Sequence, residues 1–224
     1  FLAGKAESHK LVAILAEDEI AAMNMAVGAG FTGVRAMTAT SGGGFCLMVE
    51  ALGLSGQTET PVVVVLGQRG GPSTGLPTRM EQGDLEFALH AAHGEFPRAI
   101  LAPRSTEDAF LMTIKAFNIA EKYQVPVIIL TDAYLVDCYR TIKPFTQDMV
   151  KIDRGALLSE NEIKAPGEYK RHLFTDSGIS PRALPGQKGA LVVTCGDEHT
   201  EDGHITEDAE VRRKMMQKRM GKLD

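Results

Sequence analysis

The chain has 224 residues and a formal net charge of -5, with 24 lysines and arginines against 29 aspartates and glutamates. With no basic run before Arg212-Arg213-Lys214, this balance excludes a nucleic-acid partner, whose binding rests on lysine and arginine contacts to phosphate. No apolar stretch approaches the roughly 20 residues a membrane helix needs, and no charged-then-apolar signal segment opens the chain, so no membrane role is expected.

A chain of this length buries about 70–75% of its unfolded surface, which supports one main domain and an appendage. The cysteines Cys46, Cys138 and Cys195 lie far apart without a CxxC pair, so neither a disulfide framework nor an iron–sulfur or zinc site is encoded. Free thiols fit a reducing cytoplasm, the expected location. The chain begins at Phe1 without an initiator methionine and reads as a piece of a longer polypeptide.

In chain order, residues 11–15, 34–39, 61–66, 98–102 and 125–131 are predicted strands. All are continuous apolar runs, which implies burial on both faces, as in a mainly parallel, doubly wound α/β sheet. Ala21, Met25, Gly28 and Ala29 recur at helical spacing after the acidic cluster Glu17-Asp18-Glu19. Thr40-Ser41 and three glycines open the next helix, predicted to about residue 54. The longest helix, 106–123, opens with Ser105-Thr106-Glu107-Asp108, a capping box with Asp in place of Glu or Gln. Beyond Pro144 the texture changes to an extended arm over 146–187, then a predicted strand at 189–194 and a charged, methionine-rich helix at 207–221. The expected division is 1–144 for the main domain, lacking its N-terminal part, and 145–224 for a linker arm, strand and terminal helix leading towards an absent domain.

Two glycine patterns resemble nucleotide fingerprints and fail on context. Gly28-Ala29-Gly30-Phe31-Thr32-Gly33 spells GxGxxG but follows a helix and precedes a strand, the reverse of a dinucleotide site, so it reads as a helix terminus. Gly70-Gly71-Pro72-Ser73-Thr74-Gly75 continues Leu76-Pro77 and lacks the lysine and hydroxyl residue of a phosphate loop. What survives is an edge: Glu17 at the start of a helix, and the turn at 38–44 where ligands meet the carboxyl ends of parallel strands and free helix N–H groups. The loop 67–84 completes it.

On Ala16-Glu17-Asp18-Glu19-Ile20-Ala21-Ala22, Thr38-Ala39-Thr40-Ser41-Gly42-Gly43-Gly44, Gln68-Arg69-Gly70-Gly71-Pro72-Ser73-Thr74-Gly75 and Gln82-Gly83-Asp84, the chain resembles the alpha subunit of the 2-oxoacid:ferredoxin oxidoreductases, nearest the 2-oxoglutarate type. Ser180-Pro181-Arg182-Ala183-Leu184-Pro185-Gly186 and the stretch from Gly196 to Asp208 resemble the family's linker region. The resemblance implies a thiamine diphosphate enzyme that oxidatively decarboxylates a 2-oxoacid, joins the acyl group to coenzyme A and passes electrons to ferredoxin. This chain would be its pyrimidine-binding half, with Glu17 as the glutamate that hydrogen-bonds the pyrimidine ring. Arg69 would hold the substrate carboxylate. Thr40 and Ser41 would donate to substrate or cofactor, and Gly42, Gly70 and Gly71 would let the backbone approach the cofactor.

From the residues alone, bland readings stand beside these. Glu17 is equally an exposed first-turn glutamate favoured by the helix dipole, as Asp18 and Glu19 are, and Arg69 an ordinary loop arginine. Ser41 is equally a helix cap, and the glycines equally turn residues. His90 and His93, three apart on a predicted helix, have no third ligand near them. Asp197, Glu198, His199, Asp202 and His204 read as a polar interface loop rather than a metal site, and no metal is assigned to this chain. The family's Tyr-Pro-x-Thr-Pro loop is not in this sequence. Nor are the partner's Gly-Asp-Gly stretch and asparagine, which bind magnesium and diphosphate. Magnesium and the iron–sulfur cluster are therefore expected on partner chains or domains, with thiamine diphosphate shared with a beta subunit in a hetero-oligomer. A noncatalytic scaffold subunit, a flavodoxin-like nucleotide binder, and an enzyme acting on pyruvate or a branched-chain 2-oxoacid instead are the competing readings.

Overall fold

The computed structural model describes residues 2–163 and 168–224. Four parallel strands form one sheet in the order β1-β2-β4-β3: β1 (Met37–Thr40), β2 (Val62–Gln68), β3 (Ala99–Leu101) and β4 (Pro126–Asp132). Seven α-helices accompany them among the described residues: α1 (Ala6–His9), α2 (Glu19–Phe31), α3 (Gly42–Gln57), α4 (Leu85–His90), α5 (Thr106–Tyr123), α6 (Ala133–Asp137) and α7 (Ala209–Met220).

The valine run of β2 shows why the sheet is covered twice. Successive strand side chains point to opposite faces, so Val62, Val64 and Leu66 join Met23, Phe45, Met48 and Leu52 of α2 and α3, while Val63 joins Ala116 and Ala120 of α5. Each such fully buried Val, Leu or Phe contributes about 1.5–3 kcal/mol. The α/β, doubly wound arrangement expected from the continuous runs is therefore present, with β2 and β4 in its centre.

The helices begin where short polar side chains receive their first N–H groups. Asp18 accepts from Ala21 at 2.8 Å, Ser105 from Asp108 at 3.1 Å, Asp132 from Leu135 at 2.9 Å and Asp208 from Val211 at 2.8 Å. The Ser105 box is half closed, because Asp108 reaches back to the N–H of Arg104 rather than to that of Ser105.

Two predicted strands are absent. Residues 11–15 run without a ladder, with Val12 84%, Ile14 67% and Leu15 100% exposed. An apolar run becomes a strand only against a partner, and β1 has none on its outer side among the described residues. Residues 189–194 are likewise unpaired: Thr194 is spent on His172 Nε2 (2.9 Å), and Leu191 faces solvent.

The segment after β4 lies along the other end of the sheet, and carboxylates of the α/β body fasten it there. Glu121, near the end of α5, faces Arg35 (2.7 Å), Arg154 (2.6 Å) and Arg182 (3.2 Å). Glu59, three residues before β2, receives Lys218 of α7 at 2.6 and 2.7 Å, His172 at 2.9 Å and Lys222. Arg171 is buried beside them, donating to the carbonyl of Glu59 (2.6 Å) and to Gln124 Oε1 (2.8 Å).

Candidate functional site

The carboxyl ends of β1, β2 and β4 lie in register, Thr40 opposite Leu66 and Gln68 opposite Asp132, so the segments leaving them share one edge. α3 starts two residues after β1 with Gly42, Gly43 and Gly44, and its N-cap Ser41 makes no side-chain cap bond. The first turn of a helix carries N–H groups without intrahelical partners and the positive end of the dipole. Here it is also bare of side chains.

Each of the three glycines makes room for a different neighbour. A β-carbon at Gly42 would stand 2.9 Å from Asp84 Oδ2, one at Gly43 would stand 3.7 Å from the carbonyl oxygen of Ser73, and one at Gly44 would collide with Thr40 Oγ1 and approach Glu19 Oε1 to 2.8 Å. Side chains at 42 and 44 would displace these acceptors, so the glycines keep oxygen atoms from α2, β1 and the 68–84 loop close over the start of α3.

That loop closes on itself. The Gly70 carbonyl accepts from Leu76 N–H (3.0 Å), and Gly75, at φ +55°, sits where a side chain would strike the Gly70 carbonyl. Its far end is pinned twice: Asp84 N–H donates to Gln68 Oε1 (3.0 Å), and Gln82 Nε2 to Asp132 Oδ2 (2.6 Å). Arg69 is half-buried, and among the described residues its guanidinium has neither an ion pair nor a hydrogen bond. Burial, with Glu81 nearby, raises the pKa of the Asp84 carboxyl.

The sequence-predicted residues fall unevenly on this geometry. Thr40, Ser41, Gly42, Arg69 and Gly70 stand at the edge, with Thr40 Oγ1 reaching the Ser41 carbonyl at 3.4 Å. Gly71 is exposed, and a β-carbon there would meet nothing within 4 Å. Glu17 lies in the bend before α2 and is exposed, whereas Glu19, two residues on, reaches Gly44. Glu19, Asp84, Gln82 and Asp132 were given no role from the sequence, although Gln82-Gly83-Asp84 had stood out as a motif.

The histidine pair separates: α4 ends at His90, which lies 3.5 Å from Glu86, and the backbone turns at Ala92 (φ +71°), putting His93 beyond the helix. In the 197–204 loop Glu198 and Asp202 are engaged, while the buried Nε2 of His199 has no hydrogen-bond partner among the described residues. Glu198 is held by Arg212 (2.6 Å) and Arg219 (2.8 Å), which bring its pKa down to about 2 against the cost of burial. Asp202 pairs with Thr200, and the Nδ1 of buried His199 lies 3.0 Å from the Asp197 carbonyl. His199 joins Glu59 and His172 in a cluster with metal-ligand spacing. Lys218 and Lys222 already hold both Glu59 oxygens and supply the positive charge there.

Residues 2–218 match the family described as pyruvate flavodoxin/ferredoxin oxidoreductase, thiamine diP-bdg. The chain belongs to this family. It is 50% identical over 226 residues to the 2-oxoacid:ferredoxin oxidoreductase 1, subunit alpha, of Sulfurisphaera tokodaii, covering 100% of this chain and 35% of that one. It is 48% identical over 188 residues to the 2-oxoglutarate synthase subunit KorA of Methanothermobacter thermautotrophicus, covering 84% and 48%. Among solved structures it matches the 2-oxoglutarate:ferredoxin oxidoreductase from Magnetococcus marinus with 2-oxoglutarate, coenzyme A and succinyl-CoA bound. That match has a TM-score of 0.92 and 40% identity over 99% of this chain and 38% of that one. The chain thus spans about a third to a half of the length of these relatives.

Proposed function

We propose that this chain is the pyrimidine-binding part of the alpha subunit of a 2-oxoacid:ferredoxin oxidoreductase. The reaction would be oxidative decarboxylation of a 2-oxoacid, 2-oxoglutarate foremost, to an acyl-CoA with electrons passed to ferredoxin. One observation carries the reading: the bare first turn of α3, ringed by Glu19, Thr40 and Asp84 oxygens, lies at the same sheet edge as an unpaired arginine. That cradle fits a heterocycle with ring nitrogens and an exocyclic N–H, as the aminopyrimidine of thiamine diphosphate has. When bound, thiamine diphosphate supplies an acidic ring C–H and an electron sink for decarboxylation.

The roles of this chain's residues follow from their chemistry. Glu17, once a partner subunit covers it and keeps bulk water away, would share a proton with a weakly basic ring nitrogen. A second reading gives that role to Glu19, favoured by its seat over Gly44 while Glu17 faces solvent. Arg69 would take the oxoacid carboxylate bidentately, and the amides after Thr40 and Ser41 would donate to the ligand. Gly42, Gly70 and Gly71 would admit it closely.

Exposed Leu76, Met80, Leu85, Tyr134 and Val136 surround this edge and support a partner seated on it. We assign that seat to a beta subunit, which would contribute magnesium and diphosphate binding, with the iron–sulfur cluster likewise off this chain. The division into residues 1–144 and a 145–224 arm, and a cytoplasmic site of action, belong to the same proposal. Calorimetry of thiamine diphosphate and magnesium on the full-length alpha chain, alone and with co-expressed beta chain, tests it. Binding only by the mixture is expected; a mixture that assembles and binds none would leave a scaffold subunit.

A further inference from the structure

The loop that begins with Arg69 has no core of its own. Every residue from 71 to 83 is exposed, so no burial of apolar surface fixes where the loop lies and its place depends on hydrogen bonds. Inside it, the Gly70–Leu76 bridge and the Arg79 N–H on the Leu76 carbonyl (3.0 Å) shape the turn, but these bonds travel with the loop. Among the described residues, two hydrogen bonds tie residues 71–84 to the sheet: Asp84 N–H to Gln68 Oε1, and Gln82 Nε2 to Asp132 Oδ2.

Both acceptors stand on fixed ground. Gln68 and Asp132 are the last residues of β2 and β4 and face each other across the ladder, with Val62, Val63, Val64, Val127 and Ile128 buried behind them. The Asp132 carboxylate serves two elements at once. Its Oδ1 accepts the Leu135 N–H at the start of α6 (2.9 Å), which sets the rotation of the group and turns Oδ2 to receive Gln82 at 2.6 Å. An N–H donated to a carboxylate is among the stronger hydrogen bonds.

Arg69 is where this matters. It is the first residue after β2, and its guanidinium has no partner among the described residues, so its backbone alone aims it. The strand fixes one side of that backbone and the loop the other. If the loop is released, a ligand has to order it on binding and loses affinity by that amount.

We propose that Asp132 is a positioning residue for the 2-oxoacid: through Gln82 it holds the 69–84 loop in the place from which Arg69 meets the substrate carboxylate. The inference rests on the proposed oxidoreductase function and adds to that site a residue that acts through another.

The test is KM and kcat for 2-oxoglutarate, with thiamine diphosphate affinity by calorimetry, in the assembled alpha–beta complex carrying Gln82→Met, Asp132→Ser, both together, or Asp132→Asn. Serine keeps the helix cap but is too short to reach Gln82, whereas asparagine caps the helix and offers an amide that a turned Gln82 amide can meet. Gln82→Met and Asp132→Ser should each raise KM about 3–10-fold, the worth of one hydrogen bond, with kcat and thiamine diphosphate affinity unchanged. The double variant should be no worse than either single one, because both remove the same contact. Asp132→Asn should keep a KM near that of the wild type. Amide hydrogen exchange over residues 76–84 should quicken in the first two variants and not in Asp132→Asn. An unchanged KM, effects that add in the double variant, an asparagine variant as impaired as the serine one, or a loss that falls equally on kcat and cofactor affinity overturns the assignment. The wild-type complex separates the two failures: if it neither binds thiamine diphosphate nor turns over 2-oxoglutarate, the functional reading falls and Asp132 with it, and if it does both while the variants keep its KM, only Asp132 falls.

Discussion

Lys218 and Glu59 stand 159 residues apart in the chain and meet in its interior at 2.6 and 2.7 Å, with Lys222 on the same carboxylate. The contact joins the last long helix to the residues that lead into β2. Arg69 is the first residue after that strand, so the charge cluster and the candidate site sit at opposite ends of one rigid element.

Removing the carboxylate leaves two buried ammonium groups without a counter-charge. Glu59→Gln is expected to destabilise the full-length subunit by about 3–5 kcal/mol, the usual cost of breaking a buried pair. Replacing Lys218 by Met, which keeps the packing and leaves Lys222 on Glu59, should cost less. Denaturant unfolding of the two variants measures the difference.

Acid should act through His172. Burial, offset in part by Glu59, holds its pKa down to about 3, whereas an unfolded histidine titrates near 6.5. Between those values the unfolded chain binds a proton that the native chain refuses, so stability falls as the pH drops from about 6.5 towards 3. Glu59, also depressed, adds its loss only below the ordinary carboxylate range. The midpoint of urea unfolding against pH should therefore slope in wild type from pH 6.5 downward. In His172→Gln the upper part of that slope, above about pH 4.5, should become shallower, the remainder belonging to His199, whose pKa burial also lowers.

Gly44→Ala separates folding from binding. Alanine is favoured over glycine in a helix by about 1 kcal/mol, yet its β-carbon would collide with Thr40 Oγ1 and push against Glu19. Melting temperature is expected to change little while thiamine diphosphate binding by the assembled complex weakens at least tenfold. Equal affinity in the variant would remove Glu19 and Thr40 from the site.

The two glutamates can be told apart by turnover. Loss of acid–base assistance typically costs about 10²–10⁴ in rate, and this loss should follow Glu17→Gln if the first reading holds and Glu19→Gln if the second does. Arg69→Lys should raise the KM for every 2-oxoacid, since an ammonium replaces a planar fork with a point charge.

The sheet centre was legible because the valines of β2 and the run Val127, Ile128 and Ile129 of β4 are apolar without alternation, which only two-sided burial explains. The same rule misled at residues 11–15, since composition reports the wish to be buried and not the presence of a neighbour. At the site, Gly42 and Arg69 were visible through motif spacing. The contacts of Glu19 and Asp84 with α3 were not, because they depend on where the long loop between β2 and α4 returns and on which of three consecutive acids turns inward. The sockets at Glu59 and Glu121 were equally hidden, their partners lying far along the chain in a stretch without periodicity.

The outer side of β1 has a practical consequence. Among the described residues it has no strand partner, and elsewhere in the chain the aliphatic side chains of Val12, Ile14 and Leu15 are exposed as well. Such an edge recruits any strand it meets, so a preparation of this polypeptide by itself is expected to self-associate as its concentration rises, and co-production with whatever covers that side is the route to monodisperse material.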